Sequence, residues 1–237
     1  MLEKIKSRKA LKNNVVSLLK TSDIDQALSA LSKFSPRRVI NPLLSLFCSQ
    51  DEELRWKAIT AMGFIVSTIA SKDMESARIV MRRLMWSLND ESGGIGWGAP
   101  EAMGEIMACN EGLAQEYVHI LFSYAREDGN FLEHEPLQRG VLWGLGRLAQ
   151  VMPHLLEKQN VSQPLQFYLK SSDATIRALA AWTLGLIGVE ESRSKIEALS
   201  TDDTQVQFYI DRKLVLRRVE EIAKEALERL SHRKEFR

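Results

Sequence analysis

Four segments of the 237-residue chain align without a gap: LRWKAITAMGFI (54–65), IGWGAPEAMGEI (95–106), LQRGVLWGLGRL (137–148) and IRALAAWTLGLI (176–187). Their glycines, Gly63, Gly104, Gly146 and Gly185, stand 41, 42 and 39 residues apart. Nine residues before each glycine lie Leu54, Ile95, Leu137 and Ile176; five before, Ala58, Ala99, Val141 and Ala180. One before lie Met62, Met103, Leu145 and Leu184, and two after, Ile65, Ile106, Leu148 and Ile187. Every one is apolar, at steps of four, four and three. That is the stripe of an amphipathic helix, and no strand alternation reproduces it. A unit recurring every 40 residues or so cannot bury its apolar face alone; it does so by stacking on its neighbours.

A shorter apolar stretch precedes each stripe: PLLSLFCSQDEE, RRLMWSLNDES, YVHILFSYARED and PLQFYLKSSDAT. Asp or Ser just before the second helix is a good N-cap, so the unit reads as helix–turn–helix. The chain start, 4–34, reads as one more helix pair, and the end as a short helix (191–200) and a long one (203–231). The expected fold is therefore an all-α, right-handed solenoid of five to six helix pairs with no sheet. It forms one domain over 1–237, with caps at 1–35 and 190–237 around repeats at 36–189. The four recurrent glycines sit inside helices, where glycine costs ~1 kcal/mol against alanine. Close approach of neighbouring helices is expected to offset that cost.

The segment SDATIRALAAWTLGLIG (172–188) fits the pattern D-x-x-[VIL]-R-x-x-A-x-x-x-L-G-x-[IL], and QDEELRWKAITAMGFI (50–65) comes close. This pattern resembles the HEAT repeat, in particular the HEAT-like repeats of the phycobilisome-lyase type, over roughly residues 36–200. The copy at 94–107 departs from it, with Gly96 at the arginine position and Pro100 in the first turn; the copy at 136–149 has Gln138 there. The resemblance implies the fold and a concave side lined by the second helices. It says little of function, because stacks of this kind serve as scaffolds, lyase subunits, hydroxylases and DNA glycosylases.

Positions opposite the apolar stripe should be polar on a plainly solvated helix. They hold instead Trp56, Thr60 and Phe64; Trp97, Glu101 and Glu105; Arg139, Trp143 and Arg147; Ala178, Trp182 and Leu186. Four of the five tryptophans fall on this stripe. Exposed aromatic and arginine clusters mark recognition surfaces. The expected site is a groove of Trp56, Trp97, Glu101, Glu105, Arg139, Trp143, Arg147 and Trp182 that takes a protein segment with basic and apolar groups. The loop NDESGGIGWGAPE (89–101) shapes the chain ahead of Trp97 and Glu101; its acids and lack of lysine disfavour a phosphate.

Charge narrows the partner. Lys and Arg number 32 against 31 Asp and Glu, but residues 89–135 carry ten acids and one base, Arg126, whereas 1–20 and 212–237 are basic. An acidic middle argues against nucleic acid. No apolar run reaches the ~18–20 residues of a membrane span, and no secretory leader is read at the start. Cys48 and Cys109 lack metal-type spacing and read as small buried hydrophobes in a reducing cytoplasm. Glu133-His134-Glu135 is a lone His–carboxylate group, short of the several pairs that a HEAT-type hydroxylase would need. Glu101 and Glu105, one turn apart, read as a charged surface rather than an acid–base pair. The expectation is a binding scaffold, monomeric or weakly self-associating, with no enzyme activity, cofactor or metal. A bilin-lyase-like or other HEAT-type enzyme subunit acting on a bound ligand is the alternative.

Overall fold

The computed structural model describes residues 7–20, 23–89 and 96–235. Thirteen α-helices and one β-hairpin are present among the described residues. Contacts gather into two compact units, residues 1–110 and 111–237.

In the first unit α1 (Arg8–Leu19) and α2 (Ile24–Leu31) form the opening pair. α3 (Pro36–Leu44) packs on α4 (Glu52–Ala70), and α5 (Met74–Leu88) on α6 (Ala99–Cys109); α4 and α6, the two striped helices, lie side by side. Asp51 caps α4 by accepting the Leu54 N–H at 3.0 Å, and Asp73 caps α5 by accepting the Ser76 N–H at 3.1 Å. Each satisfies one of the donors that a helix start leaves open. In the second unit α7 (Glu111–Ser123) packs on α8 (Glu135–Val151), followed by α9 (Pro153–Glu157) and α10 (Ser162–Phe167). α11 (Ala174–Ile187) packs against α8 and against the terminal α13 (Val219–Glu235), with α12 (Arg193–Glu197) beside α13. Asp173 caps α11 through the Ile176 N–H at 2.9 Å.

The apolar stripe is the core, as its period predicts. Every stripe residue among those described is buried except Leu137, which is half-buried; Ile95 lies outside the described residues, as does the loop over 90–95. Three of the four column glycines mark close approach. A Cβ on Gly185 would lie 2.7 Å from the Ala226 Cα of α13, and one on Gly146 would run into the Trp182 ring and stand 2.8 Å from Thr183 Oγ1. At Gly63 it would stand 2.6 Å from Glu105 Cγ.

Residues 203–218, expected as the first half of a long helix, are not helical. β1 (Gln205–Ile210) and β2 (Lys213–Arg218) pair antiparallel through Asp211 and Arg212, whose φ values of 49° and 61° make a tight turn. The helical reading rested on Val206, Ile210 and Leu214, spaced by four. That even spacing also fits a strand, and Phe208 between them completes a period of two. The helix starts at Val219. The expectation of no sheet is corrected accordingly, and the rest of the chain keeps the all-α repeat fold.

Candidate functional site

The eight groove residues divide evenly between the two units. In the second unit, two of them are not on an open surface. Strand β1 lies over the non-core side of α8 and α11, and both tryptophans there are buried. Trp143 stacks at 5.9 Å on Tyr209, and its indole N–H donates to the Tyr209 carbonyl at 2.8 Å. Trp182 meets Phe208 edge to face at 5.1 Å. The apolar area left on that face is thus covered by this chain's own hairpin. Arg139 reaches the α11 cap instead of a groove: its Nε donates to Asp173 Oδ2 at 2.9 Å. Arg147 is half-buried, donating to Gln150 at 3.4 Å.

In the first unit Glu105 is buried and fills the space that Gly63 leaves. The Cys109 thiol donates to it weakly at 3.8 Å. Trp56 is half-buried. Trp97 is exposed, at 38%, on the turn that enters α6. Gly98 fixes that turn: its φ of 73° is left-handed, and a Cβ there would stand 2.9 Å from the Phe47 ring. A side chain at this position would be strained and would clash. Glu101 follows in the first turn of α6. The residue is partly exposed, yet its Oε2 atom is fully buried and has no hydrogen-bond partner among the described residues. Burial pushes its carboxyl up to about 7, against the opposing pull of its own backbone N–H and of Arg55. Arg55 Nε is likewise buried without a partner among the described residues.

The rest of the chain explains why this pair stands out. Elsewhere an arginine of one helix reaches the aspartate that starts a later element. Arg37 of α3 donates to Asp73 at 2.5 Å, Arg139 of α8 to Asp173, and Arg177 of α11 to Asp202 at 2.6 Å. Arg55 of α4 sits at the same arginine position of the repeat pattern as Arg177. The cap of α6 is Gly98, with no carboxylate to offer. Arg55 holds Glu52 at 3.2 Å through one Nη, which leaves its Nε unanswered. The Gly98 substitution in the repeat therefore strands a buried cation donor and a buried carboxylate oxygen next to an exposed indole.

Three expectations need correction, and one residue was missed. Glu101 and Glu105, read as a charged surface, are half-buried and buried, because α6 packs against α4 on this side as well. Cys48 and Cys109 are exposed and form no disulfide, rather than being buried hydrophobes, because Cys48 lies in the turn after α3 and Cys109 is the last residue of α6, off the stripe. Trp86, read as part of an apolar first helix, is 75% exposed on α5, where Arg82, Arg83 and Ile79 share its face. Arg55 was legible only as a pattern residue; its role depends on what caps the next striped helix. Among the described residues no three His, Cys, Asp or Glu side chains gather as metal ligands would. No described helix is long and apolar enough to cross a membrane.

The chain matches no family model. It is 28% identical over 194 residues to an uncharacterized protein of Archaeoglobus fulgidus, covering 78% of this chain and 94% of that one. Among solved structures it resembles an engineered protein (TM-score 0.55, 16% identity, 93% of this chain and 96% of that chain). It also resembles a designed armadillo repeat protein in complex with the peptide (KR)4 (TM-score 0.53, 19% identity, 92% and 98%). A third likeness is to computationally designed armadillo repeat proteins for modular peptide recognition (TM-score 0.50, 18% identity, 91% and 98%). At these identities the likeness shows the fold: an armadillo-like α-helical repeat solenoid.

Proposed function

We propose that this chain is a protein-binding scaffold and that the Trp97–Glu101 corner of its first unit holds a partner segment carrying a basic side chain beside apolar ones. The observation that carries the reading is the stranded pair, the buried Glu101 oxygen and the buried Arg55 Nε. A buried polar group without a partner is costly, so this corner is held short of full satisfaction. A lysine or arginine head set against the partly exposed side of Glu101 favours its carboxylate form, which in turn draws on the Arg55 guanidinium beside it. The indoles of Trp97 and Trp56 offer faces to the cation and to the apolar groups.

The designed protein with the peptide (KR)4 supports the coarse part of this reading, since an armadillo-like repeat is a fold on which a basic peptide is held. Within it, the HEAT-like repeats are of the phycobilisome-lyase kind, and the protein works in the cytoplasm as a binding component rather than an enzyme. It is monomeric or weakly self-associating and uses neither cofactor nor nucleic acid. Of the eight groove residues, Trp56, Trp97 and Glu101 form the contact, and Glu105 supports it by packing into the space at Gly63.

The test is a titration of the full chain with an octapeptide of alternating lysine and leucine, followed by fluorescence anisotropy. The double variant Trp97→Ala, Glu101→Ala is first checked for a melting temperature no lower than that of the parent chain. A loss of at least tenfold in affinity with the fold intact supports the site. Equal binding by the variant overturns it.

A further inference from the structure

The hairpin of the second unit leaves one edge open, and we propose that this edge of β2 takes up an extended acidic–apolar peptide as a third strand. The argument starts from register. Ile210 pairs with Lys213 across the two-residue turn, Phe208 with Val215 and Val206 with Arg217. In a two-residue antiparallel hairpin the residues flanking the turn exchange both backbone bonds, and such pairs then alternate with pairs whose N–H and C=O groups point outwards. The outward set is Gln205, Gln207 and Tyr209 on β1, and Leu214, Leu216 and Arg218 on β2. The Tyr209 carbonyl confirms the assignment, because it accepts the Trp143 N–H rather than a bond from β2.

The two edges are therefore unlike. That of β1 is turned to α8 and answered by Trp143. On β2, the Arg218 N–H donates to Glu221 at 3.3 Å, but Leu214 and Leu216 have no hydrogen bond among the described residues beyond the strand pair itself. Leu216 is 61% exposed. An unanswered run of backbone donors and acceptors beside exposed apolar side chains is a template for strand addition.

Charge selects the occupant. Arg212 and Lys213 are exposed at the turn end of this edge beside Asp211; at the other end Arg218 is exposed but pairs with Glu220 at 3.6 Å, beside the exposed Glu221. Arg217 is already held by Glu221 and Glu225, at 2.8 and 2.6 Å. A second copy of β2 would bring the same cations against these, and like charges on neighbouring strands are unfavourable. A strand alternating carboxylate and apolar side chains meets both the cations and the leucines.

The probe is the heptapeptide Glu-Val-Glu-Val-Glu-Val-Glu, added to the full chain and followed by fluorescence anisotropy and amide hydrogen exchange. Binding should slow exchange at the Leu214 and Leu216 N–H groups. Leu216→Pro removes an outward N–H and leaves the hairpin's own bonds in place, because proline is tolerated at a strand edge. It should weaken the peptide at least tenfold with the melting temperature unchanged. Lys213→Glu with Arg218→Glu should shift the preference to the corresponding lysine–valine peptide. No slowing at these two amides, or binding that survives Leu216→Pro, overturns the proposal. So does concentration-dependent slowing without peptide, which would assign the edge to a second copy.

Discussion

Glu101 holds its proton to about pH 7, against an ordinary value of 4.5. Below pH 4.5 its carboxyl is neutral folded and unfolded alike, so it costs the fold nothing. Between pH 4.5 and 7 the unfolded chain ionises freely while the folded one resists, and stability falls; above about 7 the penalty is complete, at roughly 3 kcal/mol. Glu101→Gln should therefore raise stability to urea at pH 8 and leave it nearly unchanged at pH 4. An equal effect at both would deny the buried carboxyl. The tryptophans of the second unit give another comparison. Trp143→Phe leaves the Tyr209 carbonyl without its donor, whereas Trp182→Phe removes an indole N–H that is buried without a partner among the described residues. The first should cost about 1–2 kcal/mol more than the second in urea melts, although each removes the same volume.

Among the elements, the striped helices were legible because one pattern recurs four times, and burial follows it almost residue by residue. Glycine inside those helices was legible too. The structure gives its reason: the Trp182 ring lies where a Gly146 side chain would go, and α13 backbone lies against Gly185. Helix propensity alone would have Gly185→Ala gain ~1 kcal/mol. Overpacking should instead make both Gly185→Ala and Gly146→Leu lose roughly 1–3 kcal/mol in thermal melts. The hairpin was not legible. Its apolar spacing of four suits helix and strand equally, and the Asp211–Arg212 turn carries no glycine. The misreading propagated to the site, because only a strand over α8 and α11 covers Trp143 and Trp182. Arg55 and Glu101 escaped for a related reason: an unanswered buried group becomes visible only once every neighbour has been placed. The caps that do answer their arginines have an acid signature. For Asp173 and Asp202 burial pushes the carboxyl up, but hydrogen bonds from Arg139 and Arg177, with those from Ile176 and Thr204, outweigh it and hold both below the ordinary 3.8. Their contribution is present at neutral pH and lost as pH falls through those lowered values. Asp173→Asn should destabilise at pH 7 and make little difference near pH 2, as read by denaturant midpoints.

For the whole molecule, a net charge of +1 conceals an acidic middle and basic ends, so association should depend on the sign of the partner and weaken with salt. The central claim is that a cation binds where Glu101 is buried. A cation there favours the charged carboxylate, so binding must drive off the proton that the free protein holds about half the time at pH 7. The most direct measurement is calorimetric titration with the lysine–leucine octapeptide at pH 7, in two buffers of different ionisation enthalpy. The account predicts release of about half a proton per peptide bound, and none from Glu101→Gln. Equal heats in the two buffers, or the same release from the glutamine variant, would contradict it.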